Sequence, residues 1–295
     1  MSHTWKVALY VLLCVIWGST WMVIKVGYGG LGPFNVAAIR FFAAGLICAA
    51  IVPAVNAPWP RGREEWLLAA FVGVVLFGAD YGLIYWSEQY IDSSLTAILF
   101  ATLPLVTIVA AEVYLRGEAI TPRKLGGTVL AFAGVAALFG DRVRLDPEQA
   151  VPMAAVVVAT VCAAAGSVAT KRHGSGLHPV SLNAAAMLVG AAALAAASIA
   201  NGDGLSLPHD APTIGAIAYL AIAGSVVSFL AYFSLLKSWS ATSLSFISVF
   251  TPAIALILGF VFLDERPTAL TAVGGALVLA GVTLALTNRT LKSEV

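Results

Sequence analysis

Charged side chains that interrupt long apolar runs are the residues of this sequence with the clearest capacity for chemistry. Asp80 lies well inside one such run, and Glu88 follows it eight residues later, at the end of the same run. At the centre of a lipid-embedded helix a charged side chain costs about 2.5–3.5 kcal/mol, so it is usually paired, solvated or functional. Asp80 is therefore a candidate solute contact, a candidate proton carrier or a hydrogen-bonded structural acid.

Two basic side chains also lie within apolar runs. Lys25 ends the first run, where its long side chain can extend toward the membrane surface. Arg40 lies near the start of the second run, and we expect it to pair with Glu88. That ion pair would act as a gate or as a structural brace.

Aromatic and hydroxyl side chains are interleaved near these charges. Trp17 and Trp21 are four residues apart, so they share one helical face, and Thr20 lies between them. Small hydroxyl residues let helices approach closely and hydrogen-bond to one another. The candidate lining of a solute cavity comprises Trp17, Thr20, Trp21, Asp80, Tyr81, Tyr85, Ser228 and Tyr232. Further hydroxyls lie at Ser245, Ser248 and Thr251, and ordinary core packing is the alternative for the aromatic members.

Composition identifies the elements that must position these residues. Of 295 residues, 60% are hydrophobic and 11% are charged, whereas soluble domains carry about 25% charged residues. So little charge cannot cover a water-facing globule, so we predict an all-α integral membrane protein. No basic stripe suggests nucleic acid, and the three cysteines and four histidines lack metal-ligand spacing, so we expect no metal or cofactor. The sequence has no phosphate-binding G-x-x-x-x-G-K-[ST] loop, which argues against an ATPase.

Ten apolar segments approach the length of about 20 residues that a helix needs to cross a bilayer. They are 6–27, 35–53, 66–87, 94–115, 123–140, 151–170, 179–200, 212–236, 243–263 and 268–287. The first continues past Trp17 to Val26 without a small-x-small cleavage site, so we interpret it as a permanent span. The short connections leave no room for a soluble domain.

The basic residues between the spans predict the orientation, because cytoplasmic loops are enriched in Lys and Arg. With ten spans, one side holds both termini and eleven basic residues: Lys6, Arg61, Arg63, Arg116, Arg123, Lys124, Lys171, Arg172, Lys237, Arg289 and Lys292. The opposite side holds three: Arg142, Arg144 and Arg266. We therefore expect cytoplasmic N- and C-termini.

An internal repeat divides the chain into residues 1–140 and 150–290. The stretch "LPLVTIVAAEVYLRGEAITPRKLGGTVLAFAGVAAL" resembles "TPAIALILGFVFLDERPTALTAVGGALVLAGVTLAL" later in the chain. The paired positions are Pro104 with Pro252, Glu118 with Glu265, Thr121 with Thr268, Gly127 with Gly274 and Gly134 with Gly281. Five spans per half make the second half inverted, an architecture typical of transporters with a midplane binding site. We expect the prolines to act as paired hinges and the glycines to form helix-packing surfaces.

Several segments together resemble one known family. "IWGSTWMVIKVG", "RFFAAG", "SEQYIDSSLTAILFATLPL" and the twofold proline–glutamate–glycine pattern are similar to the EamA family of the drug/metabolite transporter superfamily. The resemblance covers nearly the whole chain and implies ten helices in two inverted repeats. It also implies a bacterial inner-membrane exporter of amino acids or related small metabolites, with multidrug or toxic-compound efflux as the alternative. The second half lacks an arginine that corresponds to Arg40, so any role of that residue is asymmetric.

Other classes of membrane protein fit the sequence less well. An intramembrane enzyme would need clustered His and Asp, or a Ser–Lys or Asp pair within one pair of spans, and no such cluster is evident. A passive channel or a receptor is a second alternative. Unsaturable flux would favour the channel. The expected partners are a small-molecule substrate and the lipid bilayer, and the sequence does not indicate an oligomeric state.

Reporter fusions test the predicted orientation. A fusion after Asn288 should report the cytoplasm and a fusion after Gln149 the exterior, because five spans separate these two points. Reporter-enzyme activity in intact cells gives the location of each. The same location for both fusions would contradict the ten-span arrangement.

Overall fold

The computed structural model describes residues 2–115, 120–138, 147–254 and 269–286, and within these ranges the chain forms helices and no strands. We label the long helical segments α1 (His3–Gly27), α2 (Pro33–Ala54), α3 (Gly62–Ser87), α4 (Leu95–Tyr114), α5 (Pro122–Leu138), α6 (Ala150–His173), α7 (Pro179–Ala200), α8 (Ala211–Leu236), α9 (Ala241–Ile254) and α10 (Ala269–Leu286). Seven of them, all but α5, α9 and α10, are long and apolar enough to cross a membrane.

These helices confirm the predicted all-α membrane fold, and their described ends lie within a few residues of the predicted spans. Several predicted features lie outside the described residues. They are the ends of the spans at 140, 263, 268 and 287, the loop residues Arg116, Arg142, Arg144, Arg266, Arg289 and Lys292, and the repeat positions Glu118, Glu265 and Thr268.

Local capping chemistry explains where several helices begin. The Ser2 hydroxyl accepts the backbone N–H of Trp5 before α1, and the Asp210 carboxylate accepts the N–H of Thr213 at 2.9 Å before α8. Hydrogen bonds from Thr213 lower the pKa of Asp210, so this cap remains charged. Such caps satisfy N–H groups that have no partner within the helix.

The contacts between helices are approximately symmetric: exchanging the two repeats leaves the contact pattern nearly unchanged. Helix α2 packs along α7, and α5 packs along α10, so equivalent helices of the two halves face each other. Helix α1 contacts α8, and α6 makes the corresponding contact with α3. These paired contacts place α4 and α9 together beside α6, where the two halves meet.

The paired glycines form the packing surface between α5 and α10, which confirms that prediction. A methyl group on Gly127 would lie 2.6 Å from the Gly281 carbonyl oxygen and 2.6 Å from the Ala285 backbone nitrogen. A methyl group on Gly134 would lie 2.8 Å from the Gly274 carbonyl oxygen. Only hydrogen fits at these positions, so the two backbones meet directly, as in other membrane helix pairs with small interfacial residues.

Two helices contain π-helical turns at related places in the two repeats. Residues Gly73–Asp80 of α3 and Ile222–Val227 of α8 are π-helical, and each segment ends a few residues before a tyrosine, Tyr85 or Tyr232. A π-helical turn shifts the hydrogen-bond ladder and frees backbone carbonyls for other partners, frequently at functional sites. We therefore expect these turns of α3 and α8 to supply hydrogen-bonding groups to a functional site, in addition to packing.

Two other helices are interrupted near the paired prolines. In α4 the first helical piece ends at Phe100, a turn follows at residues 101–102, and the second piece begins at Leu103, with Pro104 in its first turn. Proline has no N–H for the carbonyl four residues earlier and its ring crowds that carbonyl, which is why the helix ends at Phe100. In α9 the turn lies at Phe246, and Pro252 lies within the following piece.

Neighbouring glycines on α5 test the direct packing against α10. Gly127→Ala should destabilise the protein by about 1–3 kcal/mol, because the added methyl overpacks a backbone contact. Gly126→Ala is the matched control, since nothing lies within 4 Å of the place that its methyl group would take, and it should be neutral or stabilising by about 0.5–1 kcal/mol. Thermal unfolding in detergent provides the measurement, and equal midpoints for the two variants would contradict the packing.

Candidate functional site

A central cavity lies among α1, α3, α4, α6, α8 and α9, so both halves of the chain contribute to its wall. Its empty volume is about 710 Å³, with the open solvent at its mouth included. The described lining residues are Trp17, Thr20, Trp21, Ile24, Leu76, Asp80, Tyr81, Ile84, Phe100, Leu103, Ala163, Ser167, Phe229, Tyr232, Leu244, Ser245, Ile247, Ser248 and Thr251. The mix of aromatic and polar groups in this lining is typical of small-molecule sites.

Six of the eight side chains predicted to line a cavity do so: Trp17, Thr20, Trp21, Asp80, Tyr81 and Tyr232. The prediction is wrong for Tyr85 and Ser228, which are fully buried outside it. The Tyr85 hydroxyl accepts from Arg40, and the Ser228 hydroxyl donates to the Ala223 carbonyl at 2.7 Å. The same Ala223 carbonyl also accepts the backbone N–H of Ser228, five residues later, in the hydrogen-bond pattern of the π-helical turn.

Aromatic rings make up much of the wall. The Trp17 ring lies 5.3 Å from Phe229 and 5.5 Å from Tyr232, between centroids, and its Nε1 donates to the Gly224 carbonyl at 3.3 Å. The Trp21 ring meets Phe100 edge-on at 5.6 Å. The two tryptophans therefore connect α1 to α8 on one side and to α4 on the other.

Hydroxyl groups supply most of the polar lining, and many already donate to backbone. Thr20 donates to the Trp17 carbonyl at 2.8 Å, and Ser248 donates to the Ser245 carbonyl at 2.8 Å. Thr251 donates to the Ser248 carbonyl at 3.1 Å, the carbonyl that Pro252 leaves without its helical donor. Between helices, the Tyr232 hydroxyl donates to Ser167 at 2.9 Å. Ser167 and Phe229 also line the cavity, and the sequence analysis did not single them out.

Arg40 is fully buried behind this wall and connects three helices. Its Nε donates to the Ser225 hydroxyl at 2.9 Å, its Nη1 to the Tyr85 hydroxyl at 3.1 Å and its Nη2 to the Gly224 carbonyl at 3.1 Å. Its guanidinium also stacks on the ring of Tyr81, with 4.8 Å between Cζ and the ring centroid. The π-helical turn of α8 provides two of the three acceptors.

The predicted pair between Arg40 and Glu88 is not formed. The Glu88 carboxylate is buried at the end of α3, and neither of its oxygens has a hydrogen-bond partner. The Arg40 guanidinium instead donates hydrogen bonds to two neutral acceptors of α8 and to the Tyr85 hydroxyl. Near Glu88, Lys25 extends to the turn after α3, where it donates to the Ile91 carbonyl at 3.1 Å and lies 3.8 Å from Asp92.

Asp80 occupies the last position of the π-helical turn of α3 and reaches the cavity. It is 2% exposed, and its Oδ1 has no hydrogen-bond partner. The indole Nε1 of Trp21, which also lines the cavity, lacks a partner as well. Two residues of the cavity wall therefore carry a buried acceptor and a buried donor without intramolecular partners.

Helices of membrane-spanning length, arranged as two repeats around one central cavity, define a multi-pass membrane transporter. The chain belongs to the EamA-like transporter family, whose model matches it twice, at residues 4–140 and 151–287. A solved crystal structure has the same fold, with a TM-score of 0.81, 19% sequence identity and coverage of 97% of each chain.

Two bacterial relatives carry transporter names, and a plant protein is also similar. The inner membrane transporter YedA of Escherichia coli is 31% identical over 257 residues, which cover 84% of this chain and 79% of YedA. A probable terminal-alkyne amino-acid exporter of Streptantibioticus cattleyicolor is 29% identical over 283 residues, which cover 95% of this chain and 93% of the relative. A chloroplastic WAT1-related protein of Arabidopsis thaliana is 28% identical over 276 residues, which cover 91% of this chain and 66% of the plant protein.

Substitutions at Arg40 test its role as the connection between α2, α3 and α8. Arg40→Lys keeps the charge, but a compact ammonium cannot reach all three acceptors and stack on Tyr81. Losing two hydrogen bonds to a charged group should lower the free energy of unfolding by about 3 kcal/mol or more. Ser225→Ala removes a single acceptor and should cost about half as much. Detergent-based unfolding titrations measure both, and equal losses would contradict this role.

Proposed function

We propose that the protein exports small amphipathic organic solutes, amino acids or related metabolites, across the inner membrane by alternating access. The observation that carries this proposal is the cavity, whose wall combines residues of both repeats. Transporters built from two repeats bind their solute between the halves and expose it to each side in turn. The proposal places both termini in the cytoplasm, in accordance with the basic residues of the loops.

The relatives support export of small solutes. YedA is named as an inner membrane transporter, and the Streptantibioticus protein is named as a probable amino-acid exporter. The chain spans most of both relatives, so the similarity includes the helices that form the cavity. The mixture of rings, hydroxyls and one carboxylate suits a solute with both apolar and polar parts.

Movement between the two access states requires helices that bend without exposing unpaired backbone to lipid. The breaks in α4 and α9 meet this requirement because they lie beside the cavity, and we assign their prolines, Pro104 and Pro252, as hinges. Arg40 holds α2 and α3 to α8 and would keep these helices together while α4 and α9 move.

Solute counterflow into liposomes that contain the purified protein tests the proposed function. A panel of amino acids, their derivatives and hydrophobic drugs is loaded in turn, and uptake of labelled solute is followed. Saturable exchange of a small set of amino-acid-like solutes is expected. Equal, unsaturable flux of every solute would indicate a channel, and preference for bulky drugs would favour the efflux alternative.

Neutralising the cavity carboxylate should weaken solute binding. For a solute found by counterflow, Asp80→Asn should lower affinity by about 1.5–3 kcal/mol, the value of a hydrogen bond to a charged group. Glu88→Gln is the matched control, because Glu88 is also buried and unpartnered but does not line the cavity. Equilibrium dialysis measures both affinities. Wild-type affinity in the Asp80→Asn variant would leave Asp80 a structural residue.

A further inference from the structure

The polar groups of the cavity wall are biased toward hydrogen-bond acceptors. Four lining hydroxyls donate their proton to a carbonyl of their own helix: Thr20, Ser245, Ser248 and Thr251. A hydroxyl has one proton and two lone pairs, so these four groups can only accept from a bound solute. Asp80 adds a carboxylate acceptor whose Oδ1 has no partner. The wall is therefore suited to a solute group that donates several hydrogen bonds.

The charge of the wall also favours a solute group that donates hydrogen bonds, because it favours a cation. Among the described lining residues, Asp80 is the charged one, and six aromatic side chains surround the same space: Trp17, Trp21, Tyr81, Phe100, Phe229 and Tyr232. Ring faces and a carboxylate both attract cations. Arg40 lies behind Tyr81 and outside the lining, with its donors directed to Ser225, Tyr85 and Gly224, so it offers no direct contact to a solute anion.

The wall also offers three donors, the Trp21 Nε1–H and the hydroxyl protons of Ser167 and Tyr81. Trp21 Nε1 is buried without a hydrogen bond, whereas Trp17 Nε1 donates to the Gly224 carbonyl. These neutral donors satisfy a neutral carbonyl or hydroxyl oxygen. Among the described lining residues there is no cation to compensate the dehydration of a carboxylate.

We infer that the cavity selects a monocationic amine that also carries a neutral hydrogen-bond acceptor and an apolar body, in preference to the corresponding zwitterion. Amino-acid amides and esters and amino ketones have this chemistry. The ammonium binds Asp80 and hydroxyl oxygens of the wall, the neutral acceptor binds Trp21 Nε1, and the apolar body packs among the rings. This inference rests on the proposed function and narrows its substrate class.

Four probes with one phenyl body separate these contacts. Phenylalaninamide has the ammonium and the neutral carbonyl, phenylalanine replaces that carbonyl group with a carboxylate, phenethylamine lacks the acceptor, and 3-phenylpropanamide lacks the ammonium. Calorimetric titration of the purified protein at about pH 6, where an α-amino group is charged, gives each affinity. Phenylalaninamide should bind tightest and phenylalanine about tenfold weaker or more, the size of one charge-assisted hydrogen bond.

Two variants assign the contacts to residues. Trp21→Phe keeps a ring beside Phe100 and removes the N–H, so it should remove the preference for phenylalaninamide over phenethylamine. Asp80→Asn should remove the preference for phenylalaninamide over 3-phenylpropanamide. Each variant leaves the other preference in place, so a general loss of folding is distinguished from the loss of one contact.

Several results would overturn the inference. They are phenylalanine binding as tightly as phenylalaninamide, an absence of saturable phenylalaninamide binding, and unchanged preferences in the two variants. A protonated Asp80 would give the first of these, because it would donate to a carboxylate. Saturable counterflow of amino acids together with that result would retain the proposed function and reject the inference, whereas unsaturable flux of all solutes would reject the proposed function itself.

Discussion

The structure depends on one constraint of the bilayer: a backbone polar group that has no water available must find its partner within the protein. Most of the helices meet this constraint with a regular ladder of backbone hydrogen bonds. Among the described residues, the exceptions are the π-helical turns of α3 and α8 and the breaks of α4 and α9. All four helices border the central cavity, so irregular backbone is found where side chains and a cavity can satisfy it. The Gly224 carbonyl illustrates this, because it accepts from both Arg40 and Trp17.

A symmetric scaffold supports an asymmetric distribution of charge. The first repeat supplies Arg40 and Asp80, whereas the second supplies neutral acceptors at Gly224 and Ser225. The α2–α7 and α5–α10 contacts relate the halves closely, yet α7 contains no arginine that could correspond to Arg40. Duplication therefore accounts for the cavity as a space, and divergence of a few side chains accounts for the groups that face a solute.

Sequence periodicity predicted much of the fold and of the cavity wall. The spans, the glycine contacts and the shared face of Trp17 and Trp21 follow from regular helical geometry, and they agree with the structure. The errors lie next to the π-helical turns, where that geometry does not apply. The extra residue in each such turn rotates the side chains that follow, so Ser228 points away from the cavity. The Arg40 guanidinium, which was predicted to pair with Glu88, donates instead to Gly224 and Ser225. Hydropathy does not reveal a π-helical turn.

The central claim is that one cavity opens to each side of the membrane in turn. Cysteine labelling tests it directly, with Ser248→Cys in the cavity and Val109→Cys on the exposed face of α4, each in a background without Cys14, Cys48 and Cys162. A membrane-impermeant maleimide is applied to one side at a time, with and without transported solute. Alternating access predicts that Ser248→Cys reacts from both sides, that solute raises one rate and lowers the other, and that Val109→Cys stays unreactive in lipid. Reaction of Ser248→Cys from one side alone, or from both sides at rates that solute leaves unchanged, would contradict the account.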